Sequence, residues 1–232
     1  MPSFVWIILG SIVVVSTLVL SGCGSSGSAQ VEREMLSTEN RLRQLEESIN
    51  KRTLRNANII NQYADVLKAK RPELSSLLSQ LKKEATTESP IFKSLQSRLQ
   101  AVKDGSEKFE NWTDKVAELQ AIQNGAESSV YNDALSDTAN VIADMSNGEL
   151  ARVNAVSQES EQKLNKSEKF GAGSQYVGNP HYGSWSHGSG GSFWVWYGQY
   201  ALFSSMFNRD RFYYHDWSSR RGYSYYHDVG RN

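Results

Sequence analysis

The chain has 232 residues, with 25 basic and 25 acidic side chains and a single cysteine. Zero net charge excludes a broad electrostatic hold on nucleic acid or anionic lipid, and one cysteine excludes an intramolecular disulfide. Without such staples, an exported domain of this size has to bury a core or bundle its helices.

At the N-terminal end, Phe4 to Leu20 (FVWIILGSIVVVSTLVL) are almost wholly apolar, and residues 1–22 carry no charged side chain. An apolar run leading into small residues is the layout of a secretory signal peptide. The run closes Leu20-Ser21-Gly22-Cys23, and this ending resembles the lipobox of bacterial lipoproteins. The resemblance implies that residues 1–22 are removed, that the Cys23 thiol is diacylated, and that its new amino group is acylated. With Gly24 rather than Asp after the cysteine, it implies an outer-membrane address facing the periplasm. Each buried CH₂ contributes about 0.8 kcal/mol, so several acyl chains hold where one holds marginally. Met1-Pro2-Ser3 lacks the Lys or Arg usual at the start of a signal peptide. The other reading of the segment is therefore an uncleaved anchor, since about twenty apolar residues span a bilayer.

Residues 23–30, with Gly24 to Gln30 reading GSSGSAQ, have the composition of a flexible tether. Residues 31–170 read as a helical domain. Val31, Met35, Thr38, Leu42, Leu45 and Ile49 step by four and three, and the seam continues through Arg52, Asn56, Ile59, Tyr63 and Val66. The polar seam positions Arg52 and Asn56 are read as register-setting. This first helix should stop near Arg71, because Pro72 disfavours helical geometry in the residue before it. A short stripe follows at Leu74, Leu77, Leu78 and Leu81, and Ser89-Pro90 has the chemistry of a helix start. The next stripe runs from Phe92 through Leu95, Leu99, Val102, Phe109 and Trp112 to Leu119, loosened at Asp104-Gly105. Asn124-Gly125 is a stop signal with glycine suited to a left-handed cap. The last stripe runs from Val130 to Val156, with a break at Asn147-Gly148.

From Gly171 the composition changes. Most of the aromatic residues and all four histidines lie in residues 171–232. Residues 171–192 read as a Gly/Ser/His linker. Residues 193–232 read as an aromatic tail, in which Phe193 to Phe207 (FWVWYGQYALFSSMF) forms a short amphipathic helix. That run is too short to span a bilayer, but its Trp and Tyr suit the headgroup level. The repeats Tyr213-Tyr214-His215-Asp216 and Tyr225-Tyr226-His227-Asp228 carry residue types that ligate zinc, at a spacing that matches no established zinc pattern.

These readings combine into an all-α fold: an elongated antiparallel helical bundle, or a coiled coil completed by another copy or protein, followed by a partly disordered Gly/aromatic tail. No Gly-rich phosphate loop, serine elbow or free thiol points to catalysis, so no enzyme activity, cofactor or nucleic-acid partner is expected. The expected function is that of an envelope lipoprotein with a structural or interaction role. It is held by lipid on Cys23 and contacts a protein or a second membrane surface through residues 193–232. The alternative is a ligand-binding lipoprotein whose tail takes metal, through His215, Asp216, His227 and Asp228, or glycan.

Overall fold

The computed structural model describes residues 23–107, 109–153, 171–207 and 211–220. It is mostly helical with one small two-stranded sheet. The segment 1–22, the end of the expected helical domain (154–170), and His227 and Asp228 lie outside the described residues.

Helix α1 runs Cys23–Asn50, so the stretch expected to be a loose tether is helical. A packing contact accounts for this. The indole of Trp112 lies across Gly27, where an added Cβ would fall 2.9 Å from three ring atoms. The seam is in place: Thr38, Leu42, Leu45 and Ile49 are buried.

The long first helix expected from that seam does not form. Arg52 adopts φ 54°, Thr53 N–H donates to Ser48 O at 3.0 Å, and Arg52 N–H donates to Ile49 O at 3.1 Å. This is the paired hydrogen-bond pattern of a Schellman stop, with arginine where glycine is usual. The chain turns and resumes as α2, Arg55–Lys70. Asn56 is buried; its backbone N–H donates to Asn132 Oδ1 at 2.8 Å and its side-chain amide to Asn132 O at 2.7 Å. Of the two polar seam residues, Arg52 ends a helix and Asn56 pins α2 to a distant segment.

Helix α2 stops before Pro72, as the proline requires. A 3₁₀ turn at Pro72–Leu74, helix α3 at Ser75–Leu81 and a second 3₁₀ turn at Lys82–Ala85 follow. Helix α4 spans Pro90–Lys103, with the Ser89 side chain accepting from Ile91 N–H and proline in the first turn. Gly105 at φ 65° separates it completely from α5, Trp112–Gly125, which Asn111 caps by accepting from Asp114 N–H. Gly125 ends α5 but is not among the residues with positive φ; instead it is buried. Helices α6 (Ser128–Ala134) and α7 (Ser136–Met145) follow, and the chain breaks at Asn147 (φ 55°) and Gly148 (φ 92°).

The packing is not wholly antiparallel. Contacts advance together along α1 and α5: Gly27 with Trp112, Thr38 with Leu119, and Arg41 with Glu127 at 2.6 Å. These two helices are therefore parallel, while α4 runs against both, through Lys103–Glu39 at 2.7 Å and Arg98–Glu118 at 2.6 Å. The turns between α2 and α4 carry the chain back, which lets α5 start at the same end as α1. At 28 residues, α1 is about 42 Å long at 1.5 Å per residue, well short of the helices expected from the seam.

The segment expected as linker and amphipathic helix is folded differently. A 3₁₀ turn at Ser174–Tyr176 precedes strand β1, Gly183–Gly188, which pairs antiparallel with β2, Gly191–Trp196, placing Trp185 opposite Trp194. A 3₁₀ helix, Gly198–Met206, follows. Its three-residue period puts Tyr200 and Phe203 on one face, and both are buried. Helix α8 is Tyr214–Arg220.

Relieving the left-handed strain at exposed Arg52 should stabilise the protein. A non-glycine residue there costs roughly 1–2 kcal/mol, partly offset by the chain freedom glycine adds to the unfolded state. Arg52→Gly should raise the thermal midpoint in a calorimetric scan; an unchanged or lower midpoint would contradict the cap assignment.

Candidate functional site

The described residues of the aromatic region join the helical body through buried rings. Tyr176, Tyr182, Tyr200 and Phe203 belong to the main hydrophobic core. Tyr176 and Tyr182 stack with centroids 4.0 Å apart, and Tyr200 meets Tyr182 edge-on at 5.0 Å. Such pairs contribute about 0.5–1.5 kcal/mol beyond their buried area. A second cluster lies outside this joint, formed by Val177, Trp194 and Phe212 with Trp185, Trp196, Phe207 and Trp217 packed against it. Gly178 makes this second cluster fit. At φ +87°, a Cβ there would fall 2.2 Å from the Trp217 ring, whose Nε1–H donates to Val177 O at 3.0 Å.

At the centre of the joint is Glu84, on the 3₁₀ turn after α3 and only 1% exposed. The Tyr182 hydroxyl donates to Glu84 Oε1 at 2.8 Å and the Ser89 hydroxyl to Oε2 at 3.3 Å. Ser89 thus caps α4 and holds Glu84 with the same side chain. Burial pushes the Glu84 carboxyl up to about 7, against the lowering effect of its two hydroxyl donors. The neighbouring phenols respond in the same sense. Burial first, and the nearby Glu84 second, raise Tyr176 well above its ordinary value and Tyr200 to about 12. The Tyr176 hydroxyl shares a 2.7 Å hydrogen bond with Thr138 Oγ1 in α7. Glu84, Ser89, Tyr176 and Tyr182 are almost completely buried. With no member open to solvent, this group is suited to holding two parts of the chain together rather than to receiving a substrate.

Glu84 has a sequence signal, though a faint one. It stands three residues after Leu81, the next step of the Leu74-Leu77-Leu78-Leu81 stripe, among Lys82 and Lys83. A charged residue in a basic run reads as solvated surface, and only the tertiary fold brings Tyr182 to it.

The sequence-derived site residues fall in separate places. Cys23 is the first residue of α1. His215 and Asp216 lie on α8, with His215 Nε2 3.0 Å from Asp216 Oδ1. His227 and Asp228 lie outside the described residues, and among those described no three His, Cys, Asp or Glu side chains group as a metal site would require. Arg211 stacks over the Phe193 ring at 4.7 Å. Among the described residues of the aromatic region, the large apolar side chains that are exposed are Val195, Tyr197, Leu202 and Tyr214. Among the described residues no helix is long and apolar enough to cross a membrane.

Comparison with protein-family models, curated proteins and solved structures finds no match.

The raised Glu84 carboxyl fixes the sign of a pH effect. The folded value near 7 lies above the ordinary 4.5, so the folded state holds more protons than the unfolded state in between. Its stability contribution is complete below about pH 4.5 and is lost as pH rises through 7, by roughly 3 kcal/mol in total. Urea denaturation from pH 5 to 8 should show this decline, and Glu84→Gln should flatten it. Equal slopes in the two proteins would contradict the assignment. Tyr182→Phe leaves one Glu84 oxygen without its donor and should cost about 1–3 kcal/mol.

Proposed function

We propose that the chain is a lipid-anchored envelope lipoprotein with a structural, non-enzymatic role. In this reading its helical body holds an aromatic module at a set distance from the membrane for contact with a protein partner. The observation that carries the reading is the lipobox-like ending of the apolar segment at Cys23, together with a chain that is helical from Cys23 onward rather than a loose Gly/Ser tether. An anchor joined directly to a helix, with no slack between them, restrains the body relative to the bilayer in a way a loose tether would not.

The distribution of contacts agrees with a spacer. The first residues of α1 meet the start of α5, while the aromatic module meets α3, Glu84 in the turn that follows it, and Thr138 of α7, with Glu84 bound in turn by Ser89 at the start of α4. Helix α4 runs against α1, and its last residue Lys103 pairs with Glu39. Its first turn, with the module, therefore lies toward the C-terminal end of α1, away from Cys23. The exposed side chains Val195, Tyr197 and Leu202 belong to this module and are the apolar surface it would offer a partner protein.

The anchor is tested by expressing the wild-type chain and Cys23→Ser in a double-membrane bacterium with labelled palmitate. Wild type should take up label and fractionate with the outer membrane. Cys23→Ser should take up none and either accumulate unprocessed or leave that fraction. Equal labelling, size and fractionation in the two proteins would overturn the lipoprotein reading.

A further inference from the structure

The end of the molecule that carries Cys23 also carries a large apolar side chain in the open. Trp112 is 44% exposed although it begins a helix and packs on Gly27. Cys23 and Gly27 are four residues apart in one helix, about 6 Å along the axis. The indole therefore lies about one helical turn along α1 from the attachment residue.

Beside the indole, an open groove of about 510 Å³ runs between α1 and the start of α5, with Val31, Met35, Phe109 and Trp112 among its lining residues. Its polar lining includes Glu32 and Glu110 against Lys115, a mixed and slightly acidic rim that gives anionic headgroups no hold. In the sequence, the apolar run Phe4 to Leu20 ends three residues before Cys23. Whether that segment is retained or replaced by acyl chains, the bilayer is brought to this end of α1. Tryptophan beside a bilayer settles at the headgroup level, with its ring apolar and its N–H wet.

We infer that Trp112, with the groove formed by Val31, Met35 and Phe109, is a second contact with the lipid bilayer, seated in the interface beside the anchor. The inference rests on membrane attachment at Cys23. The anchor sets where the head of α1 is held; a second contact about one helical turn further along fixes how α1 stands on the membrane. Gly27 is the residue that permits it, since any Cβ there would displace the indole.

The test uses the full chain reconstituted into phosphatidylcholine vesicles, with a parallel set made from lipid brominated near the headgroup end of its acyl chains. The difference in emission between wild type and Trp112→Phe isolates Trp112 from the other tryptophans. That difference should be shifted to the blue relative to detergent-free urea-unfolded protein and should be lost in brominated vesicles. It should also be insensitive to added salt. A difference spectrum that stays at the emission of a water-exposed indole and is unquenched by brominated lipid overturns the inference, including the case in which a protein partner covers Trp112 instead. Gly27→Ala is the second variant: it leaves all tryptophans present and should reduce the quenching, whereas undiminished quenching counts against the placement. The two readings fail separately. Release by Cys23→Ser with an unquenched Trp112 leaves the anchor standing and removes the second contact, while a chain that never associates with membranes removes the anchor first.

Discussion

A buried carboxyl group whose described hydrogen-bond partners are two hydroxyls holds the aromatic region to the helices. Glu84 takes Ser89 from one side and Tyr182 from the other, across 98 residues of sequence in the second case. Burying a carboxylate with neutral donors alone is expensive, and the group responds by holding its proton to unusually high pH. Around it Tyr131, Tyr176 and Tyr182 are fully buried, so the joint excludes water and each hydrogen bond in it gains in strength. Once Tyr182 is docked on Glu84, the strands that follow, the 3₁₀ helix and the Trp-rich second cluster have a platform against which to fold. A two-stranded hairpin is marginal in water by itself; this one is held because its flanking residues belong to the core of the helical body.

The parts of the fold that local chemistry dictates were legible in the sequence. Pro72 ends α2, Ser89 and Pro90 start α4, and Asn147-Gly148 supplies a left-handed break; each is a backbone preference of one or two residues. The seam from Thr38 to Ile49 was legible too, down to the buried threonine, whose hydroxyl donates to Glu34 O at 2.7 Å. The chain departs from its local signals where tertiary contacts prevail. Arg52 takes a left-handed conformation that composition gives no reason to expect, and the continuing heptad pattern masked the stop. The run from Phe193 to Phe207 is nearly continuous in apolar residues, and such a run has no period to separate strand from helix; pairing with Gly183–Gly188 decided it. The Gly/Ser composition of residues 24–30 resembles a linker because one of its glycines is there for contact with Trp112, which a single sequence does not reveal.

Of the candidate site residues, Cys23 lies in the described helix α1. His215 and Asp216 are brought together by adjacency, and Arg211 is engaged with Phe193. Two residues depart from the stripes: Glu84, which no stripe singles out and which is buried, and Trp112, which stands in an apolar stripe and is 44% exposed. Periodicity reports which face of a helix is apolar, but not where along its length the neighbouring helix begins or ends. Helix α4 ends at Lys103, opposite Glu39, so among the described residues the first turns of α1 lie beside the start of α5 and the segment before it, where Trp112 is 44% exposed.

The fold depends most on the aromatic region being docked through a solvent-excluded Glu84. The direct measurement is a side-chain carboxyl titration of the full chain by ¹³C NMR, with the Glu84 resonance assigned from Glu84→Gln. A docked Glu84 titrates with a midpoint near the value of about 7 that burial imposes. A midpoint at the ordinary 4.5 of a water-exposed glutamate would mean that Tyr182 does not cover the carboxyl and would contradict the joint on which the rest is built.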